Sequence, residues 1–212
     1  MMKRMFALFT PLLLAGCSVF GQTDVETAPY KLITSISDKN IEIREYQSMV
    51  LVSTPMSDDS EDSAFRRLFN YISGENKATD KIAMTAPVFM NNSNGENGKE
   101  IAMTAPVLMS KGGEKMMSFV MPSDFTLETT PKPTNPKVQV SEITDYKVAA
   151  ITFSGTLSES NVRKYSAELT NWLESNGYEI TGPAVEAAYN GPFTIPVFRR
   201  NEILIPVKLT ST

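Results

Sequence analysis

Histidine is absent from this sequence and Cys17 is its only thiol, which closes the commonest routes to nucleophilic and transition-metal chemistry. A Ser or Cys triad built on histidine cannot be assembled, and the usual zinc or imidazole-ligated sites lack their donors. No acidic pair sits in a motif spaced for acid/base work, and no glycine-rich phosphate loop is present; the chain is expected not to be an enzyme. What remains is chemistry of capture. Met84 and Met103, with Met90, Met109, Met116, Met117 and Met121, offer thioethers that adapt to a flat apolar ligand or act as soft donors. Core packing is the first reading of the same residues. Lys81, Arg199 and Arg200 can pair with ligand carboxylates, although Arg199-Arg200-Asn201-Glu202 also reads as a solvated hairpin tip or a structural ion pair. Glu45 and Glu142 are either a paired site for a cation or ordinary salt-bridging strand residues.

The elements that position these groups follow from periodicity. Ile41-Glu42-Ile43-Arg44-Glu45-Tyr46 alternates with the period of a half-buried strand, and Met49-Val50-Leu51-Val52 reads as a second, more buried one. Between Asp62 and Ser73, Ala64, Phe65, Leu68, Phe69 and Ile72 recur at helical spacing as a core face, with Gly74 as the stop. The same order returns with Val138, Val140 and Glu142 at an offset of 97 from Ile41, Ile43 and Glu45 (138 − 41 = 97). A buried strand over 148–153 and a helix over 159–175 follow, the helix capped by Ser158 and stopped by Gly177. This reads as a duplication. Strands are expected over 82–90, 101–109 and 116–121 in the first half, and over 178–180, 194–198 and 203–209 in the second. The predicted class is therefore α+β: a distorted antiparallel β-barrel from two duplicated strand-helix-strands repeats, with two helices packed outside.

Ile82-Ala83-Met84-Thr85-Ala86-Pro87-Val88 recurs unchanged as Ile101-Ala102-Met103-Thr104-Ala105-Pro106-Val107. As strands, the copies put Ile82, Met84, Ala86, Val88 and Met90 on one face, with Ile101, Met103, Ala105, Val107 and Met109 matching. Pro87 and Pro106 lack an N–H, so each belongs at an edge or a bulge.

The N-terminus has a different logic. Met1-Met2-Lys3-Arg4 precedes an apolar run of 11 residues (5–15) and Gly16-Cys17, the order of an export signal and too short to span a bilayer. Leu14-Ala15-Gly16-Cys17 resembles the bacterial lipobox, in which the cysteine is diacylglycerylated, acylated and exposed as the new N-terminus. Residues 1–16 are thus expected to be a signal peptide, 17–28 a lipidated spacer, and 29–212 the domain. Ser18 rather than Asp after the cysteine points to the outer membrane, facing the periplasm. Removing Lys3 and Arg4 leaves 18 basic side chains (20 − 2) against 24 acidic ones, which argues against nucleic acid as a partner.

Four segments carry a further resemblance: Ile43-Arg44-Glu45-Tyr46; Lys81-Ile82-Ala83-Met84-Thr85-Ala86-Pro87-Val88; Phe119-Val120-Met121-Pro122; and Asn190-Gly191-Pro192-Phe193 followed by Arg199-Arg200-Asn201-Glu202-Ile203. They resemble the SOUL, or haem-binding protein, family over residues 29–209. The resemblance implies a barrel of two related repeats and kinship with small-molecule effector-binding domains. It also implies capture of haem or another tetrapyrrole, by a histidine in some members and an apolar groove in others. Without histidine, iron would need Met, Tyr or Lys, or the ring would be held by apolar contact. The candidate ligand-binding residues are Met84, Met90, Met103, Met109, Phe119, Met121, Lys81, Arg199 and Arg200. The alternative function is a structural or protein-interaction module of the cell envelope that keeps the barrel without the ligand.

Overall fold

The computed structural model describes residues 25–56, 61–91, 115–191 and 193–209. Cys17, Met103, Met109 and the second copy of the repeated phrase lie outside the described residues. The elements in chain order are β1 (Glu26–Thr27), β2 (Lys31–Ile36), β3 (Ile41–Pro55), α1 (Glu61–Ile72), β4 (Thr85–Ala86), β5 (Val88–Asn91), β6 (Met116–Val120), β7 (Gln139–Phe153), α2 (Glu159–Ser175), β8 (Tyr178–Ile180), β9 (Val185–Ala188) and β10 (Asn201–Leu209). No described helix is long and apolar enough to cross a membrane.

Six strands close a ring in the order β3-β6-β5-β9-β10-β7 and back to β3, every pair antiparallel. Outside the ring β2 extends β3, β8 extends β10, and β1 pairs with β4. The expected α+β barrel with two outer helices is what forms. Closure removes the free edges that such long strands would otherwise expose.

The seam between β3 and β7 joins the two halves, with Ile41 opposite Ile151, Tyr46 opposite Tyr146 and Val52 opposite Val140. Each of these strands is continuous, whereas the sequence pattern splits each in two. The break at Gln47-Ser48 is a change of face instead of a turn. Tyr46 and Met49 both enter the barrel core although three residues apart, and so do Ile143 and Tyr146. Asp145 takes a left-handed φ of 50° at the matching point, and the register is the same on both sides of it. The 97-residue offset carries inner residues onto inner ones, Tyr46 onto Ile143 and Leu51 onto Val148.

Three apolar layers result. The barrel interior holds Tyr46, Leu51, Phe89, Val120, Ile143, Val148, Val185, Ala187 and Leu204. On one outer face α1 lays Ala64, Leu68, Tyr71 and Ile72 over Val50, Val52, Met117 and Phe119. On another, α2 lays Leu169 and Leu173 over Ile41, Ile43, Ala149, Ile151, Ile203 and Ile205. The Ser158 hydroxyl caps α2 by accepting from Asn161 N at 3.4 Å, and Gly177 (φ 74°) takes the chain out of it.

Three expectations need correction, and one open alternative closes. Phe65 and Phe69 of α1 are largely exposed, not core: Leu68 and Tyr71 sit a third of a turn round and claim the buried stripe. Ala86 enters the barrel interior while Ile82, Met84, Val88 and Met90 remain on the α1 side, because Pro87 separates β4 from β5 and resets the alternation. Residues 194–198 form no strand; a 3-10 turn, Pro196–Phe198, occupies their end. Glu45 and Glu142 are not a pair: Lys147 stands 3.6 Å from Glu45, and Ser48 donates to Glu142 at 2.7 Å.

Candidate functional site

The strand directions place the starts of β3, β5 and β10 and the ends of β6, β7 and β9 at one end of the barrel. A polar plug closes this end. Arg44 and Glu202 face each other across the interior with side chains 1 % and 0 % exposed. Their contact is bidentate: Nη1 donates to Oε2 at 2.7 Å and Nη2 to Oε1 at 2.9 Å. Tyr189 donates to Glu202 Oε2 at 2.7 Å, and Thr152 and Arg200 donate to Oε1 at 3.1 and 2.6 Å. Arg44 Nε also donates to Glu42 at 2.7 Å, and its guanidinium lies 4.5 Å from the centre of the Tyr30 ring. Arg200 lies over Tyr189 in the same way, at 4.2 Å.

Such a cluster is tolerable in a barrel because every lone pair of the carboxylate is used. Burial would push the Glu202 carboxyl up. The hydrogen bonds from Arg44, the Arg44 and Arg200 charges and the Tyr189 hydroxyl outweigh it and hold the group below its ordinary range. Desolvation works against the Arg44 cation, but the facing Glu202 carboxylate raises its pKa nonetheless. Burial pushes the Tyr189 hydroxyl up, and the Glu202 charge adds to that. Tyr46, beneath the plug, is pushed up by burial to about 12. The plug is therefore a fixed ionic lock.

Beside it, outside the barrel, lies an open groove of about 600 Å³ between the end of β7, α2 and the segments before β3 and β10. Phe153 and Tyr165 stack in its wall with ring centres 4.1 Å apart. Lys39, Arg199 and Arg200 supply positive charge around it, opposed by Asp38 and Glu168. Arg199 Nε donates to Thr194 O at 2.7 Å, which fixes its stem.

The predicted site residues thus divide. Arg199 and Arg200 border the groove, and Arg200 is at the same time part of the Glu202 lock, so the structural ion-pair reading of this stretch holds for it. Met84, Met90, Met121 and Phe119 pack with the α1 layer, Phe119 and Met121 buried and Met84 and Met90 half-buried. Lys81 is exposed beside that layer. None of these five lines the groove. On the α1 side Phe65 stands edge-on to Phe119 at 5.3 Å and parallel to Phe69 at 6.1 Å. Sequence reasoning read Glu202 only within a structural ion pair and Arg44 only as a motif residue, and missed Tyr30 and Tyr189 as parts of a site. A usable signal was present: a charge on a strand covered on both faces demands a partner.

The fold defines a class, closed antiparallel barrels carrying one helix per half. Within that class the chain is similar to the C-terminal domain of EcmrR (15% identity, TM-score 0.53, covering 85% of this chain and 99% of that one). It is also similar to two proteins of Listeria innocua. One is an uncharacterized conserved protein (17% identity, TM-score 0.54, 80% and 93% covered) and the other is described as a hydrolase (12% identity, TM-score 0.55, 80% and 92% covered). At these identities the likeness is one of fold. No curated protein matches the chain. The family model for SOUL heme-binding protein matches residues 25–206, and the chain belongs to that family.

A haem in the groove would find a limited donor set. Of the donors left to haem iron without histidine, Tyr165 and Lys39 line it among the described residues. Among the described residues no cluster of His, Cys, Asp or Glu could hold a metal ion. Phe153 is 5 % exposed and stacked on Tyr165, whose ring Lys164 also covers at 4.7 Å, so the groove offers a tetrapyrrole its cations and the exposed Phe198 more than a free ring face.

Proposed function

We propose that this chain is an exported binding protein, anchored by lipid on Cys17 to the periplasmic face of the outer membrane. Its ligand is haem, another porphyrin or a similarly flat amphipathic molecule, taken without histidine. The observation that carries the ligand is the groove, where the stacked Phe153 and Tyr165 meet Lys39, Arg199 and Arg200. Phe198, 47 % exposed at the groove, offers the ring apolar contact, and peripheral carboxylates are drawn to guanidinium and ammonium groups. When bound, haem would supply an absorbing, redox-capable iron; the protein's own residues hold the ring and orient its carboxylates. The lipobox-like Leu14-Ala15-Gly16-Cys17 supports the anchor.

Titration of hemin into the purified mature protein tests the ligand. A saturable Soret shift at micromolar ligand is expected. Lys39→Ala should weaken binding about three- to tenfold, the worth of one partly exposed charge contact, and Met84→Ala should leave the spectrum unchanged. No saturable shift sinks the tetrapyrrole reading. A response to Met84→Ala but not to Lys39→Ala moves the ligand to the α1 face.

A further inference from the structure

Residues 193–198 raise an apolar crest on the barrel end that carries the plug and the groove. Phe193 is 86 % exposed, Val197 64 %, Phe198 47 % and Ile195 42 %, four bulky apolar side chains among six consecutive residues. The crest is held in shape by its backbone. Thr194 N donates to Gly191 O at 3.2 Å, Phe198 N to Ile195 O at 2.9 Å, and Gly155 N to Pro196 O at 2.8 Å. A concentrated, ordered apolar surface of this kind marks an interaction site.

We propose that this crest docks into a phospholipid bilayer and seats the plugged end of the barrel against the headgroups. Two further features favour lipid over a protein partner. Arg199 and Arg200 follow the crest directly and Lys39 stands beside them at the groove, whereas residues 190–200 contain no acidic side chain in a chain of net charge −4. Apolar rings backed by cations suit the boundary between acyl chains and anionic headgroups. Asp38 and Glu168 line the same groove as these cations.

The second feature is the point where the chain enters. β1 pairs with β4, which immediately precedes β5, so Val25 lies at the same barrel end as the crest. Cys17 is eight residues earlier (25 − 17), a reach of at most about 26–29 Å. This part of the case rests on lipidation of Cys17. A tether that short, attached at that end, turns the crest toward the membrane. The groove mouth then opens beside the lipid surface, where an amphipathic ligand is most concentrated.

The test uses the mature lipoprotein, purified in detergent and reconstituted into vesicles of phosphatidylethanolamine and phosphatidylglycerol. Trp172→Phe removes the native fluorophore, and Phe193→Trp or, separately, Val197→Trp places one on the crest. Emission from either should shift to the blue and fall roughly twofold when the acyl chains are brominated, as for a ring about 5–10 Å into the boundary. Gln139→Trp, at the opposite barrel end, should not respond. If both crest tryptophans stay as accessible to aqueous iodide in vesicles as in detergent, the proposal is overturned. Protection that instead grows with protein concentration in detergent also overturns it, in favour of contact between copies. The mass of the N-terminal peptide decides the anchor separately. Lipid on Cys17 with no quenching refutes the crest alone, and quenching without lipid on Cys17 leaves the crest and refutes the anchor.

Discussion

Replacing Glu202 by Gln keeps the shape of the barrel plug and removes its charge. Six donor contacts from four residues converge on this carboxylate, at 2.7 and 2.9 Å from Arg44, 2.7 Å from Tyr189, 3.1 Å from Thr152, and 3.1 and 2.6 Å from Arg200. An amide offers one acceptor oxygen, and its NH2 must point at another donor. Arg44, 1 % exposed, is left with Glu42 as its counter-charge. Unpairing a buried charge costs about 3–5 kcal/mol, or roughly 6–20 °C in Tm for a domain of this size. Urea and thermal melts of the two proteins at pH 7 measure it. The companion variant Arg44→Met/Glu202→Leu removes both charges and should recover most of the loss, because desolvation offsets much of what the pair contributes. The pH arm has a definite sign. Glu202 has a folded pKa below its ordinary 4.5, so its contribution is present above that value and lost as pH falls through the lower folded one. The acid limb of the stability profile should therefore flatten in Glu202→Gln. A Glu202→Gln protein within about 1 kcal/mol of the parent, or a double variant that loses the sum of the singles, would falsify the lock.

Other outcomes follow from the same packing. Burial raises Tyr46 and Tyr71 from 10.0 to about 12; their neutral forms favour the fold below pH 10, and stability should fall between about 10 and 12, visible as an alkaline transition by circular dichroism. Leu68→Ala removes a fully buried side chain of the α1 layer and should cost about 2–5 kcal/mol in denaturant melts. Gly177→Ala meets no atom within 4 Å but must adopt φ 74°, so a loss of about 1 kcal/mol is expected from backbone strain alone; an unchanged midpoint would contradict that origin.

Helix α2 was legible to the residue, because Ser158, the Val162 to Leu173 stripe and Gly177 agree on one answer. The two long strands were legible in content but not in continuity. A break in alternation looks the same in sequence whether the chain turns or changes face, and only the partner strand decides between them. β2 and β9 escaped notice for opposite reasons: Lys31–Ile36 is mostly exposed and lacks a buried face, and Val185–Ala188 is short. The positive residues bordering the groove were visible as Arg199-Arg200, with Phe198 next to them, but Phe153 and Tyr165 come from β7 and α2, 34 or more residues away in sequence (199 − 165 = 34). Met84, Met90, Met117 and Met121 take the core reading that the sequence also offered, because thioethers suit a core as well as a ligand and the α1 layer holds them.

The seam between β3 and β7 has a consequence for how such a molecule changes over time. Were the halves separate copies of one polypeptide, their contact would be a twofold subunit interface, with every substitution appearing twice. Covalent linkage releases that constraint. The halves differ: phenylalanines and methionines pack around α1, while the groove lies beside α2 and borrows Asp38, Lys39 and Asn40 from the first half. One half can be reshaped for a new ligand or surface while the other keeps the barrel shut.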